Sequence, residues 1–362
     1  MSETVAVPEN LDELRTLLAH ESVVLPVGNQ TKQPLSVDAQ ARLISLRGLS
    51  GMLEYEPSEF TFTALAGTTV AQVNDVLRQR QQYLPFDPML VQAGATLGGS
   101  VAAGLSGPGR FRYGGLRDFL LGVKFLNGEG EAIHAGGKVV KNAAGFDIPK
   151  FMAGSLGRFG VMVELTFKVF PLPSHRHTMA VTCRSLADAM QRMSVAAASR
   201  WELDAIDYRP ETRTVFLRIA GPAEVNQALV QKISDLWGAD VEPIPDDDEF
   251  WKSMVELSWP DRALPIAVKI PAHPALLTSL VPWAEQHVGM DLHVSVAGSV
   301  VWALCDSQQE VDQLDRFLTE HVSAGLVVRG DVREAKMGAW AQQEIASAVK
   351  MAMDPTMKFP LL

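Results

Sequence analysis

Leu11, Leu14, Leu17 and Leu18 recur at helical spacing, and Asn10 precedes them with Glu13 three residues on. That arrangement predicts a short helix capped by Asn10. "SVVLPVG" predicts a strand that breaks around Pro26 and Gly28, and "FTFTALAG" (60–67) predicts a second. Val70, Val73, Val76 and Leu77 then return to helical spacing behind a polar start at Thr68–Thr69. "FLLGVKFLNGEGEAIH" predicts a hairpin with Asn127-Gly128 in its turn. In "VMVELTFKVF" Val161, Val163, Leu165, Phe167 and Val169 alternate with Glu164, Thr166 and Lys168, the period of a half-buried strand.

"FPLPSHRH" (170–177) is broken by prolines, and a domain boundary is expected there. Beyond it a pattern recurs. "HTMAVTC", "SLADAMQRMSVAAAS", "LDAIDY", "TRTVFLRIA" and "AEVNQALVQKISDLWG" read strand, helix, strand, strand, helix. "PIAVKI", "HPALLTSLVPWAEQH", "DLHVSV", "GSVVWALC" and "QQEVDQLDRFLTEH" repeat that order, and "GLVVRG" adds a strand. Twice β-α-β-β-α is the core of the split-βαβ, ferredoxin-like arrangement. Two such units side by side predict one antiparallel sheet with helices on one face, suited to a lid or a substrate platform. "REAKMGAWAQQEIASAVKMAMDP" predicts a last helix ended by Pro355. The fold class is α+β, with expected divisions at 1–172, 173–330 and 331–362.

Composition narrows the chemistry. A chain of 362 residues, 47% hydrophobic and 20% charged, suits about two globular domains. The net charge of −10 opposes nucleic-acid binding and polybasic membrane anchoring. The amino terminus lacks a secretory pattern and no apolar run would span a bilayer, so a cytoplasmic protein without a transmembrane segment is expected. Cys183 and Cys305 stand alone, which excludes a cysteine-ligated cluster within this chain.

Between Gly94 and Gly115 there are eight glycines, threaded with Leu97, Val101, Leu105, Phe111 and Tyr113. A flexible linker would be simpler and more polar. Glycine also permits positive φ and close backbone approach, and N–H groups turned inward hold phosphate. Arg110, Arg112 and Arg117 add positive charge in an acidic chain. The P-loop pattern is absent, and "GPGRFRYGG" lacks the strand and helix of a Rossmann unit.

Four segments occur in order: "LPVGNQTK" (25–32), "LPFDP" (84–88), "GATLGGSVAAGLSGPGRFRYGGLRDFLLGVKFLNGEGE" (94–131) and "KVVKNAAGFDIPKFMAGSLGRFGVMVELTFKVFPLP" (138–173). Together they resemble the PCMH-type FAD-binding domain of the vanillyl-alcohol oxidase (p-cresol methylhydroxylase) family, and within it the FAD-binding subunits of bacterial glycolate oxidases. The resemblance implies a two-lobed FAD-binding domain followed by a ferredoxin-like cap domain. It assigns the first pyrophosphate loop to Pro26, Gly28, Asn29, Gln30, Thr31 and Lys32, and the second to Gly94, Ala95, Thr96, Gly98 and Gly99, with Pro88 ahead of it. It places Ser106 and Gly107 toward the flavin ring, followed by Tyr113, Gly114 and Asp118. Lys141, Asn142 and Asp147 match a further loop, and Gly157, Gly160 and Val161 the adenosine end. Asp118 and Asp147 also read as ordinary turn or helix caps, and Lys141 as a solvated lysine.

Where the family usually has a second glycine this chain has Gln30. If that position needs positive φ, the side chain costs strain of about 1 kcal/mol. Gly28-Asn29-Gln30 offers no His or Cys for a covalent link, so the FAD is expected to be dissociable. "DPTMKFPLL" keeps Asp354-Pro355 but not the family's "NPG" ending.

Oxidising a 2-hydroxy acid needs an acceptor for the hydroxyl proton and a cation for the carboxylate. Neither is assignable among the eight histidines, Arg262 or Arg329. His175 and His177 form an H-x-H pair with no further ligand cluster, read as solvated. Trp251, Trp259, Trp283 and Trp302 read as core or interface. The resemblance implies a non-covalent FAD subunit of a 2-hydroxy-acid oxidase complex, with a larger homologous FAD subunit and an iron–sulfur subunit as partners. A self-sufficient dehydrogenase of the same fold and a scaffold that binds FAD weakly remain open.

Overall fold

The computed structural model describes residues 5–32, 41–137, 146–245 and 247–360. Its elements begin with α1 (Leu11–His20), where the Asn10 side chain accepts from the Glu13 N–H and Leu14 and Leu18 are buried. The Glu13 carboxylate reaches back to the Glu9 N–H and the Asn10 amide. There follow β1 (Val24–Val27), β2 (Arg42–Ser45), β3 (Met52–Glu56), β4 (Thr61–Leu65), α2 (Val70–Arg78), β5 (Gln82–Tyr83), α3 (Leu97–Ala103), α4 (Arg110–Tyr113), β6 (Leu120–Leu126), β7 (Ala132–Gly136), α5 (Ile148–Met152), β8 (Val161–Lys168) and β9 (Phe170–Pro171). The later part comprises β10 (His175–Thr182), α6 (Leu186–Ala198), β11 (Leu203–Arg209), β12 (Thr214–Gly221), α7 (Ala223–Trp237), β13 (Val241–Pro243), α8 (Asp247–Val255), β14 (Ile266–Pro271), α9 (Pro274–Ala284), β15 (Met290–Ser295), β16 (Val300–Cys305), α10 (Gln308–Glu320), β17 (Ala324–Arg329), β18 (Lys336–Gly338) and α11 (Gln343–Met353).

Two compact units share these elements. The first takes in Met1–Ser106, Gly115–Pro171 and Ala341–Leu362, and the second Gly107–Gly114 and Leu172–Trp340. The main division at 171/172 lies beside the expected boundary. Two segments fall elsewhere than the sequence divisions put them. Gly107–Gly114 joins the second unit, where α4 packs on β11 and the Arg112 guanidinium meets the Glu202 carboxylate at 3.1 Å. The end of the chain joins the first unit, where the Lys350 ammonium donates to the Arg158 carbonyl.

In the first unit β1 and β2 pair in parallel, and a five-stranded antiparallel sheet has the order β3-β4-β8-β6-β7. The alternation in β8 buries Val161, Val163, Leu165 and Phe167. Phe167 sits opposite Phe62 of β4, their rings stacked at 5.5 Å, and Phe86 and Phe119 complete the aromatic core. Such ring pairs add about 0.5–1.5 kcal/mol each beyond area burial. The β6–β7 connection runs over Asn127–Glu131, and the Asn127 side chain accepts from the N–H groups of Glu129 and Glu131.

The second unit is built on a nine-stranded sheet with the order β13-β10-β12-β11-β15-β16-β14-β17-β18. Each half keeps the ferredoxin-like order, fourth, first, third, second strand. The halves meet at β11 and β15, whose ladder holds one residue pair, Tyr208 opposite Val294. Helices lie on both faces, contrary to the expectation of one. On one face α6 and α9 pack together over β11 and β15. On the other, α8 stacks Phe250 on Phe216 and Trp251 beneath Arg218. The physical reason is the apolar run in "FWKSMV", which needs a surface to cover.

The final stretch also differs from expectation. Residues 336–338 form β18 on the edge of the sheet instead of opening a long helix. Gly338 takes φ +71° and donates its N–H to Asp315, which ends the strand and leaves α11 to begin at Gln343.

Candidate functional site

The first glycine loop follows β1. Its conformation is set by the second loop, because a Cβ on Gly28 would lie 2.2 Å from Thr96 Oγ1. Asn29 donates its amide to the Gly94 carbonyl at 2.8 Å, and the Gly28 carbonyl accepts from Ser45 Oγ at 3.0 Å. Gln30 adopts φ +54°, the left-handed region that favours glycine. Lys32 donates to Thr31 Oγ1 at 3.2 Å.

The second loop starts from a turn around Pro88, with Asp87 at φ +49° and Leu90 at φ +60°. Gly94 takes φ +89°, Ala95 is fully buried, and Thr96 caps α3 by accepting the Gly99 N–H. Gly98 packs against Ala66, where a Cβ would approach to 2.9 Å.

Two adjoining hollows lie between these loops. One, of about 80 Å³, is lined by Leu25–Lys32 with Thr96, Gly99, Ala102, Ala103 and Leu156. The other, of about 40 Å³, is shared by Pro26, Gly28, Thr96, Gly98, Gly157 and Gly160. Gly157 takes φ +76°, and its added Cβ would lie 3.1 Å from Pro26 Cγ. Gly160, which lines the smaller hollow, leads into Val161 at the start of β8. The walls are therefore mostly backbone and small side chains. Such a glycine-rich lining lets a ligand come close to the backbone, as a pyrophosphate does.

Other predicted residues have evident structural work. Ser106 Oγ is buried and accepts the Leu116 N–H. Asp118 accepts the Gly115 N–H, a turn cap. Asp147 caps α5 and pairs with Lys150. Burial alone would raise its pKa, but the Lys150 ammonium and N–H, with Arg117 beyond, hold it below the ordinary aspartate value. Gly107, Tyr113 and Gly114 belong to the second unit. Lys141 and Asn142 lie outside the described residues.

The second unit holds a polar cluster that the sequence reading did not assemble. Lys269, Trp302 and His293 are register partners across β14, β16 and β15, so they share one face. His293 Nε2 meets the Asp207 carboxylate at 2.7 Å, Ser295 Oγ donates to it at 2.8 Å, and the Val296 N–H at 3.1 Å. A carboxylate already receiving two donors requires the proton on Nε2, so Nε2 donates. His293 Nδ1 is buried without a partner. Trp259 donates to Asp291 on the same strand. Burial, with Arg110 nearby, pushes the Lys269 pKa down to about 8. The signal was present in β15, where Asp291, His293 and Ser295 alternate with Leu292 and Val294. Arg262 instead holds the carbonyls of Val288 and Met290, and Arg329 those of Glu256, Leu257 and Leu264. His175 and His177 are exposed on β10. No group of three or more metal-binding side chains occurs among the described residues.

The family described as FAD binding domain matches residues 2–136. This part of the chain is an FAD binding domain. The chain is also 28% identical over 256 residues to glycolate oxidase subunit GlcE of Escherichia coli K12, an alignment covering 70% of each. It is 27% identical to a D-2-hydroxyglutarate dehydrogenase of Xanthomonas citri pv. viticola over 56% of this chain and 44% of that one. Glycolate oxidase subunit GlcD of Bacillus subtilis is 25% identical over 55% of this chain and 44% of its own. The matches therefore span less than half the length of these last two relatives. Among solved structures, an alkyldihydroxyacetonephosphate synthase superposes with a TM-score of 0.73 at 16% identity, over 98% of this chain and 76% of that one. The fold is the PCMH-type FAD-binding fold expected from the sequence. The cofactor is FAD, and the chain is an FAD-dependent oxidoreductase.

Proposed function

We propose that the protein is the dissociable-FAD subunit of a glycolate oxidase-type complex that converts glycolate or D-lactate to the 2-oxo acid. The observation that carries this reading is the similarity to a glycolate oxidase subunit along 70% of both chains. Its loops support the cofactor assignment. Gly28, Asn29, Gln30, Thr31 and Lys32 with Gly94–Gly99 hold the pyrophosphate, and Gly157–Val161 the neighbouring part of FAD. Bound FAD supplies the acceptor for the two electrons of the substrate's C2–H bond. Gly28, Asn29 and Gln30 provide no nucleophile for a covalent link. The partners are a larger homologous FAD subunit and an iron–sulfur subunit, which supplies the cluster that Cys183 and Cys305, buried and free, do not. The complex works in the cytoplasm. No helix among the described residues is long and apolar enough to cross a membrane.

An absorption spectrum of the purified protein, taken before and after FAD addition and desalting, tests the cofactor site. Retained flavin bands that bleach anaerobically with glycolate or D-lactate support the reading. Bleaching by the chain alone favours a self-sufficient dehydrogenase. Retained bands that neither acid bleaches, with or without partner subunits, overturn the substrate assignment.

A further inference from the structure

The last residues of the chain form a set of buried contacts that no catalytic or cofactor role yet explains. Lys350, on α11, is 2% exposed and Asp354 fully buried. The Lys350 ammonium donates to the Arg158 carbonyl at 2.6 Å, the Asp354 carboxylate at 2.6 Å and the Phe359 carbonyl at 2.9 Å. Its three protons are thus all placed. The Asp354 carboxylate accepts in addition from the N–H groups of Lys358 and Phe359 and from Thr356 Oγ1. A buried ion pair is tolerable only when its remaining valences are filled in this way.

The same segment reaches the opposite side of the hollow. Lys358 donates its ammonium to the carbonyls of Leu18 and Glu21 at the end of α1, and its carbonyl accepts the Val24 N–H at the start of β1. Thr356 sits against the β6–β7 turn, where a Cβ on Gly128 would lie 2.6 Å from its Oγ1. β1 runs directly into Gly28–Lys32. Arg158 follows Gly157, which rests on Pro26. Two of the segments that line the hollow, 25–32 and the turn at 156–160, are therefore fastened to one stretch of chain that is not among its lining residues.

We propose that residues 343–360 are a strap that holds the 25–32 loop and the 155–160 turn in register around FAD, and that Lys350 is the positioning residue for that turn. This rests on the cofactor site described above. The strap acts through the Arg158 carbonyl and through β1, not by touching the cofactor.

The test uses full-length Lys350→Met and the paired variant Lys350→Met/Asp354→Asn, which leaves no lone carboxylate buried. Two measurements are made: FAD affinity by titration, and amide hydrogen exchange of the FAD-free proteins. Loss of the charged hydrogen bonds is expected to weaken FAD binding by at least about tenfold. Exchange is expected to rise in 24–32 and 155–161 while β3, β4 and β8 stay protected. A purely stabilising role predicts faster exchange throughout the first unit and unchanged FAD affinity. That result in the paired variant overturns the proposal. If the unaltered protein itself retains no FAD, the cofactor site fails separately, and the exchange pattern alone decides the strap.

Discussion

Gln30 shows how one side chain can be read from sequence and then weighed. The family pattern puts glycine there, and the structure gives Gln30 φ +54°. A left-handed L-residue costs roughly 1–2 kcal/mol. Replacing it with glycine relieves that strain but frees the unfolded chain, which offsets about 0.4–1 kcal/mol. Gln30→Gly is therefore expected to stabilise the protein by about 0–1.5 kcal/mol. Gln30→Val, β-branched and poorer still at positive φ, is expected to cost about 1 kcal/mol more and to weaken FAD binding. Urea unfolding and FAD titration check both, and equal behaviour of the two variants would show that the loop leaves this conformation freely. At this scale the glycine loops were legible because positive φ and close packing demand glycine itself. His293 was not. A histidine in an apolar strand carries no mark of its partner, and Asp207 lies far away in sequence on β11.

The repeated β-α-β-β-α order was legible because periodicity changes from two to 3.6 residues at each junction. The seam between the halves was not, since register across β11 and β15 depends on packing. Only Tyr208 and Val294 pair there, and the side chains of Asp207, His293 and Ser295 take over where the ladder is thin. Asp207→Ala would leave the buried His293 and Ser295 donors and the half-buried Val296 N–H without an acceptor. The expected cost is about 3–5 kcal/mol, with Asp207→Asn milder because it keeps an acceptor for the Val296 N–H. Urea unfolding of the second unit, followed by tryptophan fluorescence, measures it. A cost within about 1 kcal/mol would mean the seam is held by apolar packing alone. The mistaken long helix before α11 has a similar origin. "KMGAW" has helical composition, yet pairing with β17 and the turn at Gly338 make it an edge strand.

At the scale of the whole molecule, the chain passes between two units that each have their own core, one around Phe62, Phe86, Phe119 and Phe167, the other beneath the nine-stranded sheet. Proteins of this kind depart from a single two-state transition. The two hollows between the glycine loops lie wholly in the first unit. On the proposed site FAD binds elements that unfold with that unit, and linkage stabilises only the state that binds. At a free concentration 100 times its dissociation constant, FAD adds about 2.7 kcal/mol. For a unit of this size that is a rise of roughly 5–10 °C in its midpoint. Calorimetry is expected to show two transitions, with FAD moving one and leaving the other in place. The Gly107–Gly114 segment makes the experiment decisive. It carries Gly107, Tyr113 and Gly114, which sequence resemblance assigns to the cofactor but which pack with the second unit. If these residues also hold FAD, the second transition rises together with the first. If only the first rises, the cofactor is held by the loops after β1 and before α3, and the glycines of 107–114 serve the path of the chain.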